Sequence, residues 1–340
     1  MKAIVWTKYG PPDGLQLREI EKPVPEDDQI LVRIHAAGVT AGDCEMRRLQ
    51  LPLGLSLPVR IYAGLIKPKR IPVLGQEFAG EVMEVGEKVT SFKPGDQVCG
   101  TTGFGFGAYA EYICLPAEPG DAEGVLALKP ANLSYEEAAV LPTAGLEALH
   151  YLREGRAGPG KKILIIGGGG SIGTLAIQLA KYYGAEVTAV DNTEKIDLLR
   201  SLGVDHPIDY TKDNYLKNGS SYDLIIDVVG RNSLAQRLKL LNPDGEYFLA
   251  FARFRDIFLS LWTSVTSRKK LRIESSSQRK EDLGQLTDLV EQGKLKPVID
   301  SVFSLEQASR AHSHAETGLK KGNIALKISN NPDGAERKGR

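Results

Sequence analysis

The stretch ILIIGGGGSIG, residues 163–173, ends an apolar run in three glycines spaced Gly168-x-Gly170-x-x-Gly173. That spacing suits a phosphate cradle, because the first glycine permits a tight turn, the second lets backbone approach a pyrophosphate, and the third lets strand and helix pack closely. A helix beginning at Ser171 and Ile172 would aim free N–H groups and the positive end of its dipole at the anion. The next apolar run, AEVTAVD, stops at Asp191. A carboxylate there fits the two hydroxyls of an adenosine ribose and repels a 2′-phosphate, which favours NAD(H) over NADP(H). Lys195 works against that preference, since an ammonium nearby attracts the phosphate.

A second set of polar groups lies upstream in PVLGQEFAGEVMEVG, where Gln76 and Glu77 sit in an otherwise apolar stretch. No imidazole or thiolate accompanies them. Cys44, Cys99 and Cys114 show no C-x-x-C spacing, which excludes both a disulfide framework and a cysteine-rich structural zinc lobe. His150, His206, His312 and His314 have no cysteine at ligand spacing and read as structural. His312 and His314 are two apart on a predicted helix, so they do not share a face.

These groups need elements to hold them. The 340 residues suggest two domains, and 42% hydrophobic with 25% charged residues is an ordinary globular composition. Forty-three basic and 43 acidic residues cancel, which argues against nucleic acid as a partner and for a small-molecule substrate. The basic cluster SRKKLRIE, residues 267–274, therefore reads as a solvated strand entry. No apolar run approaches the about 20 residues of a membrane span. The start MKAIVW lacks an apolar leader, so a cytoplasmic protein without a membrane span is expected.

AIVWTKY, QILVRIHAAGV, FAGEVMEVG, QVCGTT and AYAEYICL alternate with period two and predict an antiparallel, barrel-like domain over residues 1–125. From about residue 126 the rhythm becomes helix, strand, helix, strand, which predicts a doubly wound parallel sheet to about residue 294. KKILII, AEVTAVDN, DHPIDY, YDLIIDVVG and GEYFLAFA are its predicted strands. Residues 295–330 return strand, amphipathic helix and strand to complete the first domain, and 331–340 reads as a flexible tail. Two apolar stretches, residues 51–70 and 251–265, interrupt the pattern. Packing against the body of the fold or an oligomer partner is the first reading. The alternative is a greasy substrate cleft lined by Leu55, Ile61 and Trp262.

The motifs AAGVTAGD, PVLGQEFAGEVMEVGEKVTSFKPGDQV, GAYAEY, LPTAGLEAL, GGGGSIG, LRSLGVDHPIDY and GKLKPVIDSVFSLEQA together resemble the medium-chain dehydrogenase/reductase superfamily. The resemblance runs over nearly the whole chain. It implies an α/β fold, a Rossmann sheet plus an N-terminal GroES-like barrel, and a homodimer. In zinc members the metal ligands would stand at Thr40, Gln76 and Thr143 or Ala144. A hydroxyl, an amide and a methyl group do not replace thiolate and imidazole, and the four-cysteine loop for a structural zinc has no counterpart. The resemblance is therefore to the zinc-independent quinone oxidoreductases of the zeta-crystallin type, and Glu77 reads as a buried structural carboxylate.

That branch implies hydride transfer from NAD(P)H to a quinone or an α,β-unsaturated carbonyl, here a lipophilic one. The alternatives are a nucleotide-binding structural or regulatory protein without turnover, and alcohol dehydrogenase-like activity. Carried over from family positions, Asp43 lies on the cleft floor and Thr143 beside the nicotinamide. Tyr210 falls near the adenosine phosphate, Val229 and Gly230 along the cofactor, and Asn323 near the nicotinamide end. Tyr62, Gln76 and Thr143 are the candidate donors to the developing oxyanion. The usual asparagine-proline before the aspartate is Ala41-Gly42 in this chain, and the usual phosphate loop is replaced by residues 167–170, all glycine.

Overall fold

The computed structural model describes residues 1–51, 54–120, 123–217, 219–230, 234–250, 267–274 and 278–328, with Asp256, Leu259, Ser260 and Thr263. Trp262, most of the 251–265 stretch and the 331–340 tail lie outside the described residues.

Period-two alternation produces the first sheet. β1 (Lys2–Trp6) and β2 (Leu15–Glu19) form an antiparallel pair at its side. The main sheet is centred on β3 (Gln29–Gly38), which pairs antiparallel with β4 (Glu77–Val85) and β6 (Tyr112–Pro116). β4 continues to β5 (Gln97–Thr101) and β7 (Val125–Leu128). The chain's last strands, β14 (Ile299–Ser304) and β15 (Asn323–Lys327), join the same sheet, with β15 antiparallel to β3. The expected all-antiparallel pattern fails at one pair: β14 and β15 run parallel. A helix, α9 (Ala308–Glu316), crosses between them, and such a crossover returns the chain in the same direction.

The second sheet is wholly parallel. Its strands are β8 (Lys162–Ile166), β9 (Glu186–Asp191), β10 (His206–Asp209), β11 (Tyr222–Asp227), β12 (Leu241–Leu249) and β13 (Lys270–Arg272). Spatial order is β10-β9-β8-β11-β12-β13. The order reverses between β8 and β11, and ligands of doubly wound sheets bind outside the strand ends at such a switch point. Ile163, Leu164 and Ile165 are fully buried, as a strand covered by helices on both faces must be. The covering helices include α4 (Pro142–Glu154), α5 (Ser171–Tyr182) and α8 (Lys280–Glu291), with the shorter α6 (Ile196–Ser201) and α7 (Leu234–Leu238), whereas α3 (Tyr135–Ala139) packs on β3 and β4 of the first sheet.

Sequence periodicity missed β2, β7 and two helices in the first half, α1 (Ala41–Arg48) and α2 (Ser56–Ala63). β12 also starts before the expected GEYFLAFA, at Leu241. There Asp244 takes a left-handed φ of 64° and the pairing with β11 shifts register, so Asn242, Pro243 and Asp244 form a bulge rather than a turn outside the strand. Among the described residues no helix is long and apolar enough to cross a membrane.

Candidate active site

The glycine loop joins β8 to α5 at the switch point. A Cβ on Gly173 would lie 2.3 Å from the Gly167 carbonyl oxygen, and one on Gly168 would lie 2.9 Å from the Ala189 methyl group. Both glycines are thus required by packing within the protein. Gly170 differs, because an added Cβ there would meet only the Gly167 oxygen, at 3.5 Å. The space over Gly170 is open and the first-turn N–H groups of α5, at Ser171 and Ile172, face it, which fits a pyrophosphate. Gly167, at φ 88°, makes the turn itself, and a Cβ on it would strike Val229 across the switch point.

Asp227 closes that side. One of its oxygens accepts the N–H groups of Val229 and Gly230 at 3.1 and 3.0 Å, and the other takes the Tyr247 hydroxyl at 2.6 Å and pairs with buried Arg237. Val229 and Gly230 are therefore held in a fixed turn beside the loop.

Asp191, at the end of β9, is 5% exposed. Its carboxylate accepts the Gly169 N–H at 2.9 Å and the Asn192 N–H at 2.8 Å. Lys195 lies 3.5 Å from it and donates to the Gly318 carbonyl at 3.0 Å. That ammonium is already partnered. Tyr210 follows β10, donates its N–H to the Asp191 carbonyl at 3.0 Å and leaves its side chain exposed. Asn323 is buried and its amide donates to Val298 at 3.1 Å, so that group is turned into the first sheet.

The other wall of the cleft comes from the first sheet. Thr40 caps α1: its hydroxyl accepts the Asp43 N–H at 3.0 Å, and Asp43 accepts the Thr40 N–H at 3.0 Å in return. The Thr40 hydroxyl also lies 2.7 Å from Asp43 and 3.3 Å from the Gln76 Oε1. Asp43 is fully buried, takes the Gly75 N–H at 3.1 Å and hydrogen-bonds Tyr109. Burial lifts its carboxyl to about 6 against the pull of those donors. Two glycines make room. Gly38 has no Cβ where the Glu77 carboxylate sits, and Gly42 none where the Gln76 amide sits.

Glu77 receives the Thr143 N–H at 2.9 Å, tying β4 to the start of α4 across the cleft. Burial raises it to about 7. Thr40 and Gln76 meet directly, and Thr143 reaches the same strand through Glu77, the chain neighbour of Gln76. The neutral oxygens and amide of Thr40, Gln76 and Thr143 do not fit a tightly held zinc ion.

Two participants escaped the sequence reading. Lys320 donates to the Ser171 hydroxyl at 2.6 Å and to the Gly322 carbonyl at 2.5 Å, and the charge of Glu77 acts on it from the other wall. Burial, with the nearby charge of Lys195, lowers its ammonium to about 8. Tyr109, fully buried, links Asp43 to His312 through a 3.2 Å contact. Lys320 belongs to no local motif, and Tyr109 stands within GAYAEY with nothing there to mark it out.

Tyr62 is not brought to this place. It sits on α2, 58% exposed, with the Arg70 guanidinium 5.1 Å from its ring. Leu55 and Ile61 on the same segment also face outward. The segment folds as its own short helix with its apolar side to solvent. The remaining histidines have protein partners: His206 meets Glu186 at 3.0 Å, His314 meets Asp300 at 2.7 Å and His150 meets Glu274 at 3.4 Å. Lys270 and Arg272 of the basic cluster pair with Glu246 on β12.

Residues 26–119 match the family described as alcohol dehydrogenase GroES-like domain, and residues 202–326 match the one described as zinc-binding dehydrogenase. The 2-methylene-furan-3-one reductase of Solanum lycopersicum is 35% identical over 96% of this chain and 79% of its own. The chloroplastic NADPH-dependent alkenal/one oxidoreductase of Arabidopsis thaliana is 33% identical over the same shares. The quinone oxidoreductase structure from Coxiella burnetii superposes with a TM-score of 0.85 at 31% identity, over 97% of this chain and 99% of that one.

Proposed function

The chain belongs to the medium-chain dehydrogenase/reductase superfamily, quinone oxidoreductase type, and from that premise we propose that it reduces quinones or α,β-unsaturated carbonyls with a nicotinamide dinucleotide and without zinc. One observation carries the reading. Lys320 holds the Ser171 hydroxyl and the Gly322 carbonyl at the glycine loop and feels the charge of Glu77, on the wall that carries the neutral groups of Thr40, Gln76 and Thr143.

The dinucleotide would supply the hydride. The protein's own residues do the rest: Ser171, Ile172 and Lys320 take the pyrophosphate, while Val229 and Gly230 fix the cofactor's path across the switch point. The substrate oxygen gains negative charge as hydride arrives. In a conjugated acceptor that charge is spread, so neutral hydrogen-bond donors suffice where an unconjugated carbonyl would need a metal. Holding the two reactants face to face supplies most of the acceleration.

NADH is preferred over NADPH in this proposal. A 2′-phosphate would approach the Asp191 carboxylate, and Lys195, already bound to Asp191 and Gly318, is not free to neutralise it. The three cysteines are free, two of them buried, which suits a reducing cytoplasm, and the family resemblance brings with it a homodimer.

The test is oxidation of NADH and NADPH by the purified protein with a panel of quinones and enones, before and after treatment with a strong chelator. Turnover of conjugated acceptors, unchanged by the chelator, is the expected result. Activity lost on chelation and restored by zinc overturns the metal-free reading. Cofactor binding with no turnover across the panel leaves a nucleotide-binding protein without catalysis.

A further inference from the structure

The segment between α1 and β4 carries apolar side chains on the outside of the molecule. Leu57 and Ile61, one helical turn apart on α2, are more than half exposed, as is Leu65, and Ile66 is 88% exposed. Four such side chains within ten residues form a patch, which is unusual on a soluble surface.

The charges that the segment itself carries all have one sign. From Met46 to Gln76 the sequence contains no Asp or Glu, while Lys67, Lys69 and Arg70 follow directly on the exposed Leu65 and Ile66. All three cations are exposed, and among the described residues no carboxylate pairs with them. Arg47 and Arg48, farther back, face Glu316 of α9 and stay with the body of the protein.

We propose that this patch docks the protein on an anionic lipid surface, with Leu57, Ile61, Leu65 and Ile66 entering the headgroup boundary and Lys67, Lys69 and Arg70 meeting lipid phosphates and carboxylates. A bilayer offers both complements at once, an apolar layer beneath a negative one. A second copy of the chain offers only the first. Across a two-fold axis the same patch would face itself and set three cations against three. The docking does not depend on the catalytic reading, because the patch residues touch neither the glycine loop nor Thr40, Gln76 and Thr143.

Co-sedimentation of the full-length protein with vesicles of phosphatidylcholine alone and of phosphatidylcholine mixed with phosphatidylserine tests this. Three cations predict roughly a hundredfold stronger partition onto the anionic vesicles at low salt, falling as salt rises. Lys67→Glu with Lys69→Glu should abolish that preference, and Leu65→Ser with Ile66→Ser should lower binding at least about tenfold at unchanged charge. Both variants should bind NADH as the parent does, which shows that they fold. Equal binding to neutral and anionic vesicles, or full binding by either variant, overturns the proposal. So does self-association that Ile66→Ser removes while the parent ignores vesicles, since the patch would then belong to a second copy. Binding only to an acidic protein, with no lipid partition, overturns it equally.

Discussion

The two walls of the cleft are built on different rules. On the glycine-loop side, backbone meets backbone: Gly173 touches the Gly167 carbonyl and Gly168 touches β9, so the residue type is set by the absence of a side chain. On the Thr40–Glu77 side, backbone N–H groups of Gly75 and Thr143 serve buried carboxylates, and the residue type is set by what a side chain can accept. The first wall is constrained by backbone shape at Gly168 and Gly173. The second is constrained in shape at Gly38 and Gly42 and responds to charge as well.

The sharpest way to break this contrast is a pair of methyl groups. Gly173→Ala should cost at least about a hundredfold in cofactor affinity and lower stability by roughly 1–3 kcal/mol, because nothing at 2.3 Å can yield except backbone. Gly170→Ala should weaken binding as strongly yet leave the urea midpoint within error of the parent, because the free protein has room for it. Equal loss of stability in the two variants would show that both glycines serve the fold alone. Denaturation and fluorescence titration with NADH measure both quantities.

Lys320→Met tests whether a charge joins the backbone wall. Loss of a charge-assisted contact to pyrophosphate should raise the NADH dissociation constant about tenfold to a hundredfold. The sign with pH is set by the lowered ammonium. Affinity of the parent should be full below about 8 and decline as pH rises through it, while the variant should lack that decline. A parallel pH profile in both proteins assigns Lys320 to structure.

Asp191→Ser should shift the ratio of NADPH to NADH affinity by about tenfold toward NADPH. An unchanged ratio would mean that the carboxylate, held by Gly169 and Asn192, never meets the ribose.

The smallest effect is on stability. Glu77 is raised from its ordinary value to about 7 by burial, so the folded protein holds a proton that the unfolded chain has released. Stability from this group is full below the ordinary carboxylate range and falls as pH rises toward 7. Glu77→Gln should reduce that fall without abolishing it, since Asp43 titrates in the same direction. Urea midpoints between pH 5 and 8 give the slope, and an identical slope in the variant would assign the whole effect to other groups.

Most strands, β2 and β7 excepted, were legible because alternation and buried apolar runs are local signals, and the 167–173 loop because its glycines lie close together in sequence. α1 and α2 were not, since α1 is short and held by the Thr40–Asp43 cap, and α2 shows its apolar face to water, opposite to the rule that locates helices. Lys320 lies 149 residues from the hydroxyl it holds, and no spacing rule spans that distance. Asp191 was placed correctly at the strand end, but the direction of its carboxylate depends on the Gly169 N–H, which only the folded loop presents. Tyr62 drew notice because a phenol is a good donor, yet sequence gave no measure of which way α2 would face.

β15 enters the sheet beside β3 only after almost the entire polypeptide has been made. While a ribosome is still producing the parallel half, the Ala36–Gly38 end of β3, beyond the stretch that β6 covers, waits without its partner, a place where stray strands can pair. A protein assembled this way needs β15 early in its life more than late, and chains cut before Asn323 should be substrates for chaperones rather than half-active enzymes.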